Sequence, residues 1–181
     1  MKITNQWLSQ KQACGEGVAW FLAQPETDGV EIIKKLMIEQ KYDWANWLIV
    51  RIMERPQYLA YAVFAAERVL NIFEQAHPED KRPRKAIEAA QRCIADDSDE
   101  NRKTAYSAAY AAAAYADAYA AAAAAAAAYA AAAAYAYSAA AASAAAAYTY
   151  AAIFKEKKKE MQIKILTYGL NLLAGSNTEA K

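Results

Sequence analysis

Histidine, cysteine, proline and glycine are scarce in this chain of 181 residues, which has one, two, four and five of them, respectively. One histidine, His77, and two distant cysteines, Cys14 and Cys93, cannot supply the closely spaced ligands of a zinc site. A phosphate-binding loop, a dinucleotide-binding glycine pattern and a Gly-x-Ser-x-Gly nucleophile turn are also lacking. We therefore predict a protein that is not an enzyme, holds no metal and uses no cofactor.

The two cysteines also bear on the compartment. A small secreted domain would carry more cysteines, and the N-terminal segment has no apolar stretch of signal-peptide length. We expect a cytoplasmic protein in which Cys14 and Cys93 are free thiols, buried as small apolar side chains. His77, which precedes Pro78 near a predicted helix end, is expected to serve in a loop or a cap.

Neither sign of charge predominates, because 21 lysines and arginines stand against 20 aspartates and glutamates. Nucleic-acid affinity depends on basic side chains that neutralise phosphates, so this balance argues against a nucleic-acid partner. A local excess of three positive charges occurs near the C-terminus, at Lys155, Lys157, Lys158, Lys159 and Lys164 against Glu156 and Glu160. This cluster can bind phosphates or an acidic partner, or it can be a solvated helix face.

Strand-forming runs of β-branched residues are missing, whereas the helix formers Ala, Glu, Lys, Gln and Leu dominate. We predict an all-α fold, a compact multi-helix single domain over residues 1–181. Amphipathic helices are expected in 1–100, an Ala/Tyr-rich, tightly packed helical layer in 101–153, and an amphipathic helix in 154–175.

Capping residues and helical spacing place the elements. The predicted N-terminal signals are Thr4, Asp28 with Glu31 in a capping box, Asp43, Pro56 at the first helical position, and Asp80 with Pro83. The side chains expected to face inward are Trp44, Trp47, Leu59, Val63, Ala66, Leu70, Phe73, Ile87, Ala90, Ile94, Met161, Ile163, Ile165, Leu166, Leu170 and Leu173. The acidic run Asp96, Asp97, Asp99 and Glu100 is expected to cap a helix and to suit its dipole.

The stretch from Ala105 to Ala152 contains 34 alanines in 48 residues. Its composition allows a membrane span, an antifreeze-like rod or a tyrosine surface that stacks on bases, but a packed layer is favoured. Membrane insertion is driven by Leu, Ile, Phe and Val, which this stretch lacks. One straight helix would be about 72 Å long, against a radius of gyration of roughly 16 Å for a domain of this size. We therefore predict at least two packed helices, with breaks near Asp117 and Ser138.

A family resemblance is carried by three segments, namely Ala65–Glu74, Asp80–Ala90 and Gln162–Leu166, together with the tyrosine-studded alanine tract. They resemble the predicted all-α immunity proteins of bacterial polymorphic-toxin systems, specifically immunity family five, copies of which also occur in phages and prophages. The resemblance extends from about Tyr42 to Leu173. It implies a protein that neutralises a cognate toxin by binding it, and it carries no functional residues onto this chain.

The candidate partner-binding residues are Arg82, Arg84 and Lys85. These three positive charges flank a predicted helix start, where positive charge opposes the helix dipole, so a carboxylate partner is expected. That carboxylate can belong to the chain itself, at Glu67 or Glu88, or to a bound protein. Anchoring residues at interfaces are enriched in Trp, Tyr and Arg.

Three functions are compatible with these features. The first is an immunity protein that binds a toxin, and the second is a phage-encoded anti-defence inhibitor of a host nuclease or signalling protein. The third is a nucleic-acid-binding module that uses the basic cluster and exposed tyrosines. A toxin gene next to this one would favour the first, a phage early region the second, and salt-sensitive DNA binding the third.

Overall fold

The computed structural model describes residues 1–113, 126–128, 142, 145 and 158–175. The helices are α1 (Asn5–Gln10), α2 (Gly15–Leu22), α3 (Gly29–Ile38), α4 (Tyr42–Ile52), α5 (Arg55–Ala76), α6 (Arg82–Ala95), α7 (Asp99–Ala113) and α8 (Lys158–Leu173). In this described part of the chain, the only β pairing is one isolated antiparallel bridge between Lys2 and Asp28. The predicted all-α fold is confirmed, although α7 begins two residues before the boundary expected at residue 101.

The first and third helices begin at the predicted capping side chains. The Thr4 hydroxyl accepts a hydrogen bond from the backbone N–H of Trp7 at 3.1 Å. The Asp28 carboxylate accepts from the backbone N–H of Glu31 at 3.3 Å. Glu31 itself forms an ion pair with Lys34 at 2.7 Å. Thr4 and Asp28 therefore cap helices as predicted. The Glu31 carboxylate, in contrast, pairs with a lysine on the same helix.

The N-terminus of α2 corrects one prediction. Cys14 is the N-cap, and its sulfur accepts from the backbone N–H of Gly17 at 3.4 Å. Since this cap lies at the protein surface, the Cys14 thiol is exposed, and the prediction that it is buried was wrong. Cys93, in contrast, is buried as expected, because it lies on the inner face of α6.

The N-terminus of α4 corrects a second prediction. Lys41 occupies the cap position, so Asp43 lies inside the first turn and the prediction that it is the N-cap was wrong. A negative charge in the first turn still suits the helix dipole. Asp43 Oδ1 instead accepts a hydrogen bond at 3.1 Å from Nε2 of Gln162 on α8.

The long helix α5 is central and contacts both α6 and α8. Its predicted inward face is confirmed, and further buried side chains such as Tyr61, Ala62 and Ala65 extend burial around the helix. Pro56 lies at the second helical position, one later than predicted, where a missing N–H still costs no intrahelical bond. The Gln57 side chain accepts from the backbone N–H of Glu54 at 2.9 Å, which helps to fix the start of the helix.

Helix α8 closes the core against α4 and α5. Its buried Gly169 faces Ile49 of α4 and Tyr61 of α5, both of which are fully buried. One residue earlier, the Tyr168 ring stacks on Phe64 with centroids 4.0 Å apart. The absence of a side chain at Gly169 is therefore what allows α8 to lie this close to its neighbours.

Of the Ala/Tyr-rich layer predicted for 101–153, the structure describes mainly α7, which packs against α6. Both helices carry fully buried alanines, at Ala86, Ala89 and Ala90 on α6 and at Ala105, Ala109 and Ala112 on α7. Small side chains let the two backbones approach closely. The predicted breaks near Asp117 and Ser138 lie outside the described residues.

Two predicted inward positions face solvent. Ile94 is 38% exposed and Ile163 is 37% exposed. On α6, Cys93 takes the inward position three residues after Ala90, and Ile94 lies one residue farther around the last turn. Among the described residues, no helix combines the length and apolar composition needed to span a membrane.

Candidate partner-binding surface

Arg82 opens α6 and is held by the loop just before it. Its Nη2 lies 2.6 Å from Asp80 Oδ2, and its backbone N–H donates to Asp80 Oδ1 at 3.0 Å. This guanidinium lowers the pKa of Asp80 to about 2. Arg82 thus pairs with a carboxylate of the chain itself. That carboxylate is Asp80, whereas Glu67 or Glu88 was predicted.

Arg84 is held by α5. Its Nε donates to Glu74 Oε1 at 2.7 Å, and its Nη2 donates to the other carboxylate oxygen, which makes the pair bidentate. The guanidinium lowers the pKa of Glu74. Glu74 is largely covered, whereas 45% of the Arg84 side chain is exposed. Since a guanidinium has five N–H donors, Arg84 keeps donors on its solvent side for a partner.

Lys85, the next residue of α6, is exposed. We call Arg82, Arg84 and Lys85 the basic edge. Lys85 and Arg82 also line an open depression with Glu79, Asp80 and Lys81. The basic edge, this depression and Glu74 together contain four basic side chains (Arg82, Arg84, Lys85 and Lys81) and three acidic ones (Glu74, Glu79 and Asp80). An open and polar surface of this kind suits contact with a protein more than enclosure of a small molecule.

The basic edge continues into a groove between α5 and α6. Arg84 lines this groove together with Glu67, Glu88 and Gln91. Gln91 Nε2 donates to Glu67 Oε1 at 2.7 Å, and burial raises the pKa of Glu67. The groove therefore presents two carboxylates, of which Glu67 is held by Gln91, beside the exposed guanidinium of Arg84, and a partner must match both signs of charge.

A second charged cluster joins the start of α5 to α7. Asp97 Oδ2 lies 2.7 Å from Arg55 Nε and 2.7 Å from Arg102 Nη2. In the same acidic run, Asp99 and Glu100 lie in the first turn of α7, as predicted. Asp97 instead bridges two arginines, a role that local spacing did not reveal because Arg55 lies far away in the sequence.

Replacing Asp97 with asparagine is expected to flatten the acid dependence of stability. Hydrogen bonds from Arg55 and then Arg102 lower the pKa of Asp97 below its ordinary 3.8. The stability that a lowered carboxyl pKa contributes is complete above the pKa of that group in the unfolded chain. It is lost as pH falls through the pKa of the group in the folded chain. From about pH 6 to about pH 3, the parent should therefore lose more free energy of unfolding than Asp97→Asn. Equal losses in denaturant titrations would contradict this role of Asp97.

The tryptophans of the N-terminal helices form a partly enclosed apolar pocket of about 250 Å³. Trp20, Trp44 and Trp47 line it, and Asp43 and Cys14 also border it. Trp44 and Trp47 were predicted to be core residues; both pack against the core but are only half-buried. Helical spacing indicates that two tryptophans face inward, but it does not show that their rings leave a space between the helices.

Within the described ranges, no group of three or more His, Cys, Asp or Glu residues could hold a metal ion. His77 is the C-cap of α5, and its ring lies 4.8 Å from that of Phe73 between centroids. The predicted capping role of His77 is therefore confirmed.

Comparison with known proteins finds a family match over the middle of the chain. Residues 49–168 match a family model described as Imm-5 like putative immunity protein. This range contains the basic edge and agrees with the resemblance noted from about Tyr42 to Leu173. No curated protein and no solved structure gives a significant match. The residues that line the tryptophan pocket, from Ile3 to Leu48, all precede the matched range.

Proposed function

Because this chain belongs to the Imm-5 like immunity protein family, we propose that it neutralises a cognate toxin by binding it, without catalysing a reaction. The family match is the observation that carries this proposal. A protein that acts by binding needs a rigid scaffold and a complementary surface, and it needs no catalytic group. The continuous buried core that joins the N-terminal helices to α8 provides such a scaffold.

The basic edge is the surface that we assign to the toxin. Asp80 and Glu74 hold two of its guanidinium groups in place before a partner arrives. Preorganised side chains lose less conformational freedom on binding. Lys85 is exposed beside them and adds positive charge. The expected counterpart is an acidic patch on the toxin, with electrostatic attraction that speeds association.

Co-expression with any toxin domain that a gene beside this one encodes tests the proposal. Cells that produce both proteins should survive, and the two proteins should elute together in size-exclusion chromatography. An unrelated toxin of similar activity serves as the control and should still kill. Survival without any complex, or a complex that does not protect, would contradict neutralisation by binding.

A further inference from the structure

The tryptophan pocket is an apolar space that the described residues of the chain leave unfilled. Its wall combines the rings of Trp20, Trp44 and Trp47 with side chains that include Leu8 and Phe21. Protein interiors are normally close-packed, and an empty apolar cavity is destabilising. A ring that enters this pocket would restore the missing contacts, so the pocket favours an apolar occupant.

Charges around the pocket favour an occupant without net charge. Lys41 Nζ lies 5.9 Å from the ring centroids of both Trp20 and Trp44, and it forms an ion pair with Glu39 at 2.8 Å. The Arg51 guanidinium lies 4.0 Å from the Trp47 ring centroid. The chain's own cations therefore already use the cation–π positions of these rings. With Glu39 and Asp43, the two positive charges are balanced by two negative ones.

The pocket also offers a hydrogen-bond acceptor. Asp43 Oδ1 is fixed by Nε2 of Gln162 at 3.1 Å, which holds the carboxylate in place at the pocket. A neutral ring that carries an O–H or N–H group would fit both the apolar wall and this carboxylate. Tyrosine and tryptophan side chains have this combination and are frequent anchors at interfaces.

We propose that this pocket binds one uncharged aromatic side chain of the toxin, a tyrosine or a tryptophan, as an anchor of the complex. The inference rests on the proposed function, since it names part of the partner. The pocket is built from residues that precede the family-matched range, so this anchor site belongs to the chain's own N-terminal helices. Recognition then uses two surfaces, the basic edge and the pocket.

Cys14 provides a reporter for the first test. Its thiol is exposed and borders the pocket, whereas Cys93 is buried and serves as an internal reference. Indole and p-cresol, which represent the two side chains, should saturably slow alkylation of Cys14 by N-ethylmaleimide. Benzylammonium and phenylacetate should need concentrations higher by about tenfold, because burying a charge is costly. Equal protection by all four probes, or none by indole and p-cresol, would overturn the proposal.

A pocket-filling variant and the toxin complete the test. Ala13 borders the pocket, so Ala13→Phe should abolish probe binding, whereas Gln10→Phe, at an exposed position of α1, should not. In the toxin complex, Cys14 should be protected and Ala13→Phe should weaken affinity by at least about tenfold. A complex that leaves Cys14 reactive would overturn this inference alone. A toxin that does not bind at all would overturn the proposed function as well.

Discussion

Replacing Gly169 with leucine is expected to destabilise the fold by about 3 kcal/mol, at the upper end of typical overpacking costs. A Cβ atom at this position would lie 2.7 Å from Ile49 Cδ1 and 2.8 Å from Tyr61 Cε2. The tyrosine ring has little freedom to move, because it is fully buried and its hydroxyl donates to Asn46 Oδ1 at 2.8 Å. Helix α8 would have to move away from α4 and α5, and the core would open.

Denaturant unfolding measures this effect, with Gly15→Ala as a matched control. A Cβ atom at Gly15, in α2, would meet no atom within 4 Å. Alanine also favours a helix more than glycine does, so this control should be as stable as the parent or slightly more stable. If Gly169→Leu unfolds at the same denaturant concentration as the parent, α8 does not cross the core where the structure places it.

Reversing charge at the basic edge is expected to weaken the toxin complex by at least about tenfold, with a larger effect at low salt. Lys85→Glu is the cleaner variant, because Lys85 is exposed and forms no ion pair with another described residue. Arg84→Glu should have the stronger effect, but it also places two carboxylates together at Glu74. Titration calorimetry at two salt concentrations measures both variants.

A charge swap between Glu74 and Arg84 separates the effect on binding from the effect on stability. The double variant Glu74→Arg with Arg84→Glu restores an ion pair between α5 and α6 with opposite polarity. Its thermal stability should recover relative to Arg84→Glu, while its affinity for the toxin should stay low. If the toxin binds Lys85→Glu and Arg84→Glu as tightly as it binds the parent, the basic edge is not the contact surface.

Local patterns predicted the helices well where one signal dominated. The inward face of α5 follows from apolar residues at helical spacing, and the caps at Thr4 and Asp28 follow from single side chains. The Asp43 prediction failed because α4 begins one residue before that aspartate. The prediction that Cys14 is buried failed because the average burial of cysteine says nothing about a cap position at the surface.

Long-range geometry explains what the sequence could not reveal about the site. Arg84 pairs with Glu74 because the turn between α5 and α6 brings them together. A choice between Glu67 and Glu88 from spacing alone missed this contact. The tryptophan pocket depends on the angles at which four short helices meet, and those angles are not encoded in any one helical pattern. The family itself was recognisable, because its segments lie in the matched range.

The most direct measurement of neutralisation by binding is toxin activity as a function of added protein. If the protein acts by forming a complex, activity should fall linearly to an equivalence point that matches the stoichiometry of the isolated complex. The mass of the toxin should be unchanged, and unfolding the complex should return active toxin. Inactivation by far less than the stoichiometric amount, or a lasting covalent change in the toxin, would show that the protein acts catalytically and would contradict the proposed function.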